Sequence, residues 1–322
     1  MSYNPPIEFV KKDIQLPDHL KKMAKIVAAA KDADYMFPLL VTDSFSSRID
    51  WNNPCDPLLL QILPTPAELQ QVKGFSNDPL GEVKFKKAPG IIKKYHGRVI
   101  LQLTGACPIH CRYCFRRHNK NADIPKTLAQ WQEAIEVVRA DQSIREVIYS
   151  GGDPLMLPDA KILEFSNRLA EIPHVQRLRI HTRVPVASPQ RVTPSLIQGL
   201  KKIRLTVTMV IHMNHPAEMD GSVKSALESM VDAGIPLYNQ SVLLKGVNDS
   251  VETLVALSEA LLQARVTPYY LHILDPVSGA AHFRVDGEQG KDLVMEMRNY
   301  LPGFGVPLLV QEIPGDGYKL PL

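Results

Sequence analysis

The 322 residues, 45% of them hydrophobic, are enough to bury a full core, so one large domain, alone or with a small appendage, is expected. A formal charge of +3, with basic residues dispersed apart from short runs such as Lys86-Lys87 and Lys93-Lys94, offers no docking face for nucleic acid or an anionic membrane; these runs read as solvated surface. Four cysteines, three of them between positions 107 and 114, exclude a disulfide scaffold and favour a reducing compartment where thiolates hold a metal.

The start MSYNPPIEFVKKD lacks the apolar core of a signal peptide, and no apolar run reaches about 18 residues, so a cytoplasmic location is expected. A helix is predicted near Asp18 to Lys31, followed by proline-rich connections such as LPTPAEL and NDPLGE. Residues 1–94 are read as an N-terminal, mostly helical cap with a boundary near Lys94. From Arg98 onward, short apolar runs alternate with helical patterns, which marks parallel βα units. The runs are Arg98 to Thr104, Val147 to Ser150, Leu178 to His181, Leu205 to His212, Leu237 to Leu244 and Tyr269 to Leu274. Helix-start chemistry lies between them: a Thr127/Gln130 capping box, Thr193 before Pro194, and Asp249 with Glu252. Six such units predict an α/β fold in which residues 95–322 form an open or partial (β/α)6 barrel.

In such barrels reactive residues gather at the carboxyl ends of the strands. After the first run comes CPIHCRYCF, where Cys107, Cys111 and Cys114 make a C-x3-C-x2-C triplet. Such a triplet holds three corners of a [4Fe-4S] cluster and leaves one iron open, since cluster irons are normally held by four thiolates. His118 extends the pattern to C-x3-C-x2-C-x3-H, so a closed Cys3His zinc site is the alternative. The preceding buried strand weighs against zinc, because small zinc modules usually sit on hairpins of their own. Cys55 stands apart in NPCDPLL and reads as a small structural hydrophobe, with a distant fourth ligand as the lesser alternative. Ser150 to Pro154 spell SGGDP, where Gly151 and Gly152 allow close backbone approach and Asp153 can accept from an ammonium. His212 and His215 in HMNHP stand at and just after the end of the fourth run, and Gln240 in NQSVLL follows the start of the fifth.

The triplet resembles the signature of radical S-adenosylmethionine (SAM) enzymes. Together with SGGDP, HMNHP, NQSVLL, PYYLHILDPVSGAAHFR and the terminal PGDGYK, it makes the chain from about Asp56 onward similar to the lysine 2,3-aminomutase family, closest to the branch that makes β-lysine for elongation factor P. The resemblance implies a [4Fe-4S] cluster on Cys107, Cys111 and Cys114, with SAM on its open iron. It places Ser150, Gly151, Gly152, Asp153, His212 and Gln240 around SAM. It implies pyridoxal 5'-phosphate (PLP) on Lys319, anchored by the apolar run PLLVQEI, with Lys94, Tyr95 and Arg98 as phosphate contacts; Lys94 stands where an arginine is usual. Arg116 matches the substrate-carboxylate arginine. Asp275 and Glu312 match the two acceptors of the substrate's side-chain ammonium, Glu312 replacing a usual aspartate. The implied reaction is conversion of L-lysine to β-lysine by a deoxyadenosyl radical, with SAM regenerated. An electron donor and a ligase that places β-lysine on elongation factor P are the implied partners. A mutase for glutamate or arginine and a non-catalytic zinc protein are the rivals; a glutamate enzyme would want a basic or neutral group at Asp275 and Glu312.

Overall fold

The structure is a computed structural model and describes residues 31–118, 124–125 and 127–322. The helix predicted from Asp18 falls outside these residues except for Lys31, which opens a short helix, Lys31–Met36. Among the described residues no helix is long and apolar enough to cross a membrane.

Ten strands form one open sheet whose spatial order is the chain order. Two short strands, β1 (Lys86–Ala88) and β2 (Ile91–Ile92), lead antiparallel into β3 (Arg98–Thr104). Parallel pairing then runs through β4 (Glu146–Gly151), β5 (Arg177–Thr182), β6 (Thr206–His212), β7 (Leu237–Leu243), β8 (Thr267–Ile273) and β9 (Leu308–Gln311). A final short strand, β10 (Leu320–Pro321), turns back antiparallel on β9. The crossovers are α1 (Leu128–Ala140), α2 (Asp159–Ala170), α3 (Pro194–Lys201), α4 (Gly221–Asp232), α5 (Val251–Gln263) and α6 (Gly287–Met297). The partial barrel is therefore as expected, with β9 as a seventh parallel strand. Because β2 pairs with β3, the segment before Lys94 is joined to the barrel by main-chain hydrogen bonds.

Side-chain alternation creates the two faces. Along β7, Leu237, Asn239, Ser241 and Leu243 are buried beneath the helices, while Tyr238, Gln240 and Val242 are half-buried towards the lumen. The outward face packs against helix positions such as Trp131, Ile135, Ile162, Phe165, Leu196 and Leu227 in one continuous core. Burying each such side chain contributes about 1.5–3 kcal/mol, and this fixes which residues face the lumen.

The Thr127/Gln130 box forms on α1, and Thr193 caps α3 with Pro194 in its first turn. At α5 the expectation needs correction. Ser250 is the cap, its Oγ accepting from Thr253 N at 3.3 Å, while Asp249 accepts from Gly246 N in the preceding turn at 2.8 Å. β8 also begins earlier than predicted: Pro268 is accommodated where the β7 pairing shifts register, at Asn239/Gln240, because proline has no N–H for the ladder.

Candidate active site

The cysteine loop leaves the carboxyl end of β3 and packs directly on the SGGD turn after β4. Gly152 N donates to Thr104 O at 2.6 Å, and Asp153 N to Ala106 O at 2.7 Å. A Cβ on Gly152 would collide with Ala106 O, and one on Gly151, whose φ is +116°, would stand 2.7 Å from Thr104 O. The close approach these glycines permit is thus to the cysteine loop itself. Asp153 is filled by this chain: its carboxylate accepts from Leu155 N, Thr182 Oγ1, Arg183 N and Val184 N at 2.6–3.1 Å. Its expected role as an ammonium acceptor is corrected to that of a clasp between two strand ends.

Side chains after Cys111 anchor the loop on long-range partners. Arg112 makes a two-pronged pair with Glu68, at 2.9 and 2.6 Å, and Arg117 bonds the same carboxylate. Arg116 pairs with both oxygens of Glu82, at 2.8 and 2.6 Å, and donates to Ser150 Oγ at 2.8 Å. Tyr113 is buried; its hydroxyl meets Gln61, Asn214, Arg183 and His212. Arg183, at the end of β5, also donates to Cys111 Sγ at 2.7 Å and pairs with the fully buried Glu218 at 2.9 Å. A cysteine-bearing loop backed by a fixed guanidinium suits an iron–sulfur cluster, whose sulfurs are tuned by such donors.

His118 is committed elsewhere, with Nε2 on Ser278 O at 2.9 Å. Among the described residues no three His, Cys, Asp or Glu side chains converge as a single-ion site requires. Cys55 is exposed, so the reading of a small buried hydrophobe is corrected.

Two polar residues expected around SAM, His212 at the end of β6 and Gln240 in the middle of β7, face the lumen together. His212 pairs in register with Gln240, and Gln240 with Tyr270. His212 Nε2 lies 2.8 Å from Tyr113 OH; burial and the Arg183 charge hold the ring down at about 3, against Glu218, so it is neutral. Gln240 Nε2 meets His181 Nδ1 at 3.3 Å. His215 instead accepts from Ala217 N in its own turn.

A second cluster forms beside β9. Glu312 accepts from Lys319 Nζ at 2.5 Å, from Tyr95 OH at 2.9 Å and from Lys94 Nζ. The Arg98 guanidinium lies 4.6 Å from the Tyr95 ring centroid, and its buried Nε has no hydrogen-bond partner. Burial alone would raise Glu312, but the Lys319 and Lys94 ammoniums outweigh it and hold the acid down at about 2. Asp275 experiences the reverse balance: burial and the Glu312 charge push it up to about 7 despite Lys319 and Lys94. The structure therefore brings Lys94, Tyr95, Arg98, Asp275, Glu312 and Lys319 to one end of the lumen, but with Glu312 already engaged by three donors.

Sequence reasoning missed Glu68, Glu82, Gln61, Tyr113, Arg183 and Glu218. It also missed His181, on β5, whose buried Nε2 is unpartnered and whose ring is held well below its ordinary value by burial and by Arg179, Lys319 and Arg116. Of these, Tyr113 carried a local signal, its place inside the cysteine motif, and so did His181, its place at the end of a predicted strand.

The family model of the radical SAM superfamily matches residues 101–257. An L-lysine 2,3-aminomutase of Escherichia coli (strain K12) is 42% identical over 311 residues, covering 95% of this chain and 91% of that protein. The L-lysine 2,3-aminomutase of Haemophilus influenzae is 42% identical over 284 residues, covering 88% and 84%. That of Acetoanaerobium sticklandii is 40% identical over 285 residues, covering 88% and 69%. Identity at this level over nearly the whole of this chain leaves one assignment: the chain belongs to the L-lysine 2,3-aminomutase family of radical SAM enzymes.

Proposed function

We propose that this enzyme rearranges free L-lysine to β-lysine, with a [4Fe-4S] cluster on Cys107, Cys111 and Cys114, SAM beside it, and PLP on Lys319. The observation that carries the reading is the placement of two chemically distinct ends in one lumen. The cysteine loop lies at the strand ends by β3 and β4, and the Lys94, Tyr95, Glu312 and Lys319 hub lies by β9. The donor sets suit the cofactors: three thiols on one loop for the cluster, and Lys94, Tyr95 and the unused Arg98 Nε for a phosphate.

When bound, the cluster with SAM supplies the hydrogen-abstracting radical and PLP carries the migrating amine. The chain's residues orient and enclose. Arg116, held in one orientation by Glu82 and Ser150, offers a fixed positive charge for the substrate carboxylate. Asp275 offers a carboxylate for the side-chain ammonium. His212 and Gln240 line the wall assigned to SAM, with His212 kept neutral. A zinc-binding, non-catalytic reading is set aside by the family assignment and by the His118 bond to Ser278. Delivery of β-lysine to elongation factor P, through a ligase that takes it, and a reductant for the cluster follow from the sequence resemblance; a cytoplasmic location follows from the N-terminal sequence and cysteine usage, and the division at Lys94 from the change of pattern along the chain.

The test combines product analysis with adduct mapping. Anaerobically purified protein, supplied with reductant and SAM, should convert L-lysine to β-lysine, and borohydride should fix the phosphopyridoxyl mass on the Lys319 peptide. Equal or faster turnover of glutamate, or an adduct on Lys94 or Lys245 with Lys319 unmodified, would overturn the reading.

A further inference from the structure

His181 stands in the lumen with one ring nitrogen used and the other free. Along β5, Leu178, Ile180 and Thr182 are buried beneath the helices, whereas Arg179 and His181 turn towards the lumen. Gln240 Nε2 meets His181 Nδ1 at 3.3 Å. An amide nitrogen can only donate, so Nδ1 accepts and the proton of the neutral ring lies on Nε2. That Nε2–H is buried and has no hydrogen-bond partner among the described residues. Buried donors are rarely left so, and a bound ligand is one way to complete them.

The ligand group has to be an acceptor, which excludes an ammonium. Tyr149 pairs with Ile180 across β4 and β5, and this brings the next residues, Ser150 and His181, side by side. Ser150 Oγ accepts from Arg116 Nη1 at 2.8 Å, so the Arg116 guanidinium lies on the same stretch of wall. The charges of Arg116 and Lys319 both bear on the His181 ring. An α-amino acid carries its amine and its carboxylate on one carbon, so a donor within reach of both the Lys319 nitrogen and Arg116 faces the carboxylate. Glu82 already takes Arg116 Nε and Nη2 and offsets its charge. A carboxylate bound there gains from a second donor.

We propose that His181 is that second donor, its Nε2–H sharing the substrate carboxylate with Arg116, so that the two side chains together select free α-amino acids over simple amines. This rests on the reading of Arg116 as the carboxylate arginine. Gln240, by holding Nδ1, is the positioning residue that turns the donating nitrogen towards the substrate.

The measurement uses the full chain, purified anaerobically and loaded with iron, PLP and SAM, without reductant so that nothing turns over. Dissociation constants are read by calorimetry for L-lysine and for cadaverine, which is lysine without its carboxylate. His181→Phe, which keeps a ring and loses both nitrogens, should weaken L-lysine by about tenfold to a hundredfold, the range of a hydrogen bond to a charged group, and leave cadaverine within about twofold. His181→Leu should give the same pattern with less bulk, and His181→Gln, whose amide can put an N–H where Nε2 stood, should recover most of the loss. Unchanged L-lysine binding in both His181→Phe and His181→Leu overturns the proposal, as does an equal weakening of the two ligands. Weaker SAM binding or lost PLP with the lysine-to-cadaverine ratio unchanged also overturns it, since the donor would then serve a cofactor. If the unaltered chain bound L-lysine no better than cadaverine, the Arg116 reading itself would fail, and this inference with it.

Discussion

Asp275 is pushed up to about 7 by burial and by the Glu312 charge, against the pull of Lys319 and Lys94. Below that pH it is a neutral acid with no charge for an ammonium, and above it the carboxylate forms. The KM for lysine is therefore expected to fall as pH rises from about 6 to 8. Asp275→Asn should flatten this dependence and raise KM steeply, since losing one partner of a desolvated charge pair costs about 2–5 kcal/mol. A KM insensitive to pH in the unaltered enzyme would remove Asp275 from the substrate site. The residues that sequence alone made legible are those that carry their own spacing, Cys107, Cys111 and Cys114, or a distinctive local motif, Lys319 in PGDGYK. The anchors were not legible because their partners lie far away along the chain. Glu82 meets Arg116 across 34 residues, Glu68 meets Arg112 across 44, and Gln61 meets Glu218 across 157. A lone glutamate among prolines has no periodicity to betray such a contact.

Strands β3 to β8 were readable from their apolar runs because a parallel strand covered by helices must be apolar for most of its length. The reading failed where local chemistry competed with that pattern. Pro268 hid the start of β8, and two adjacent cap-forming residues, Asp249 and Ser250, disguised which one begins α5. The turn after β4 was recognised as glycine-rich, but the neighbour that requires the glycines is another loop, which sequence does not disclose. Gly152→Ala should therefore displace the cysteine loop and cut iron content sharply. Gly221→Ala, at the first residue of α4 with open space where its Cβ would go, should leave stability within about 1 kcal/mol of the original, because alanine favours helix. Full iron loading in Gly152→Ala would show that the turn does not fix the loop. Iron analysis beside circular dichroism separates lost cluster from lost fold.

Across the whole molecule, the segment before β3 and the barrel are bound together by buried charge. Glu218, after β6, accepts from Arg183 Nη2, Gln61 Nε2 and Asn214 N, tying three regions of the chain together. Burial would raise this acid, but Arg183 and the donors around it outweigh that and lower it. Its contribution is therefore fully present above the ordinary glutamate value, about 4.3, and is lost as pH falls through the lower folded value. Glu218→Ala should cost about 3–5 kcal/mol at neutral pH, because Arg183 is left buried and uncompensated. Equilibrium urea unfolding reads this directly, and a loss below about 1 kcal/mol would mean that water replaces the carboxylate. The sequential order of the sheet has a further consequence, one of time. During synthesis the strands emerge in the order in which they pair, so β3 to β8 and the cysteine loop can assemble while β9 and β10 are still being made. The cysteine loop is in place before the last hairpin forms, and Lys319 reaches Glu312 only when that hairpin closes on the edge of a sheet already built.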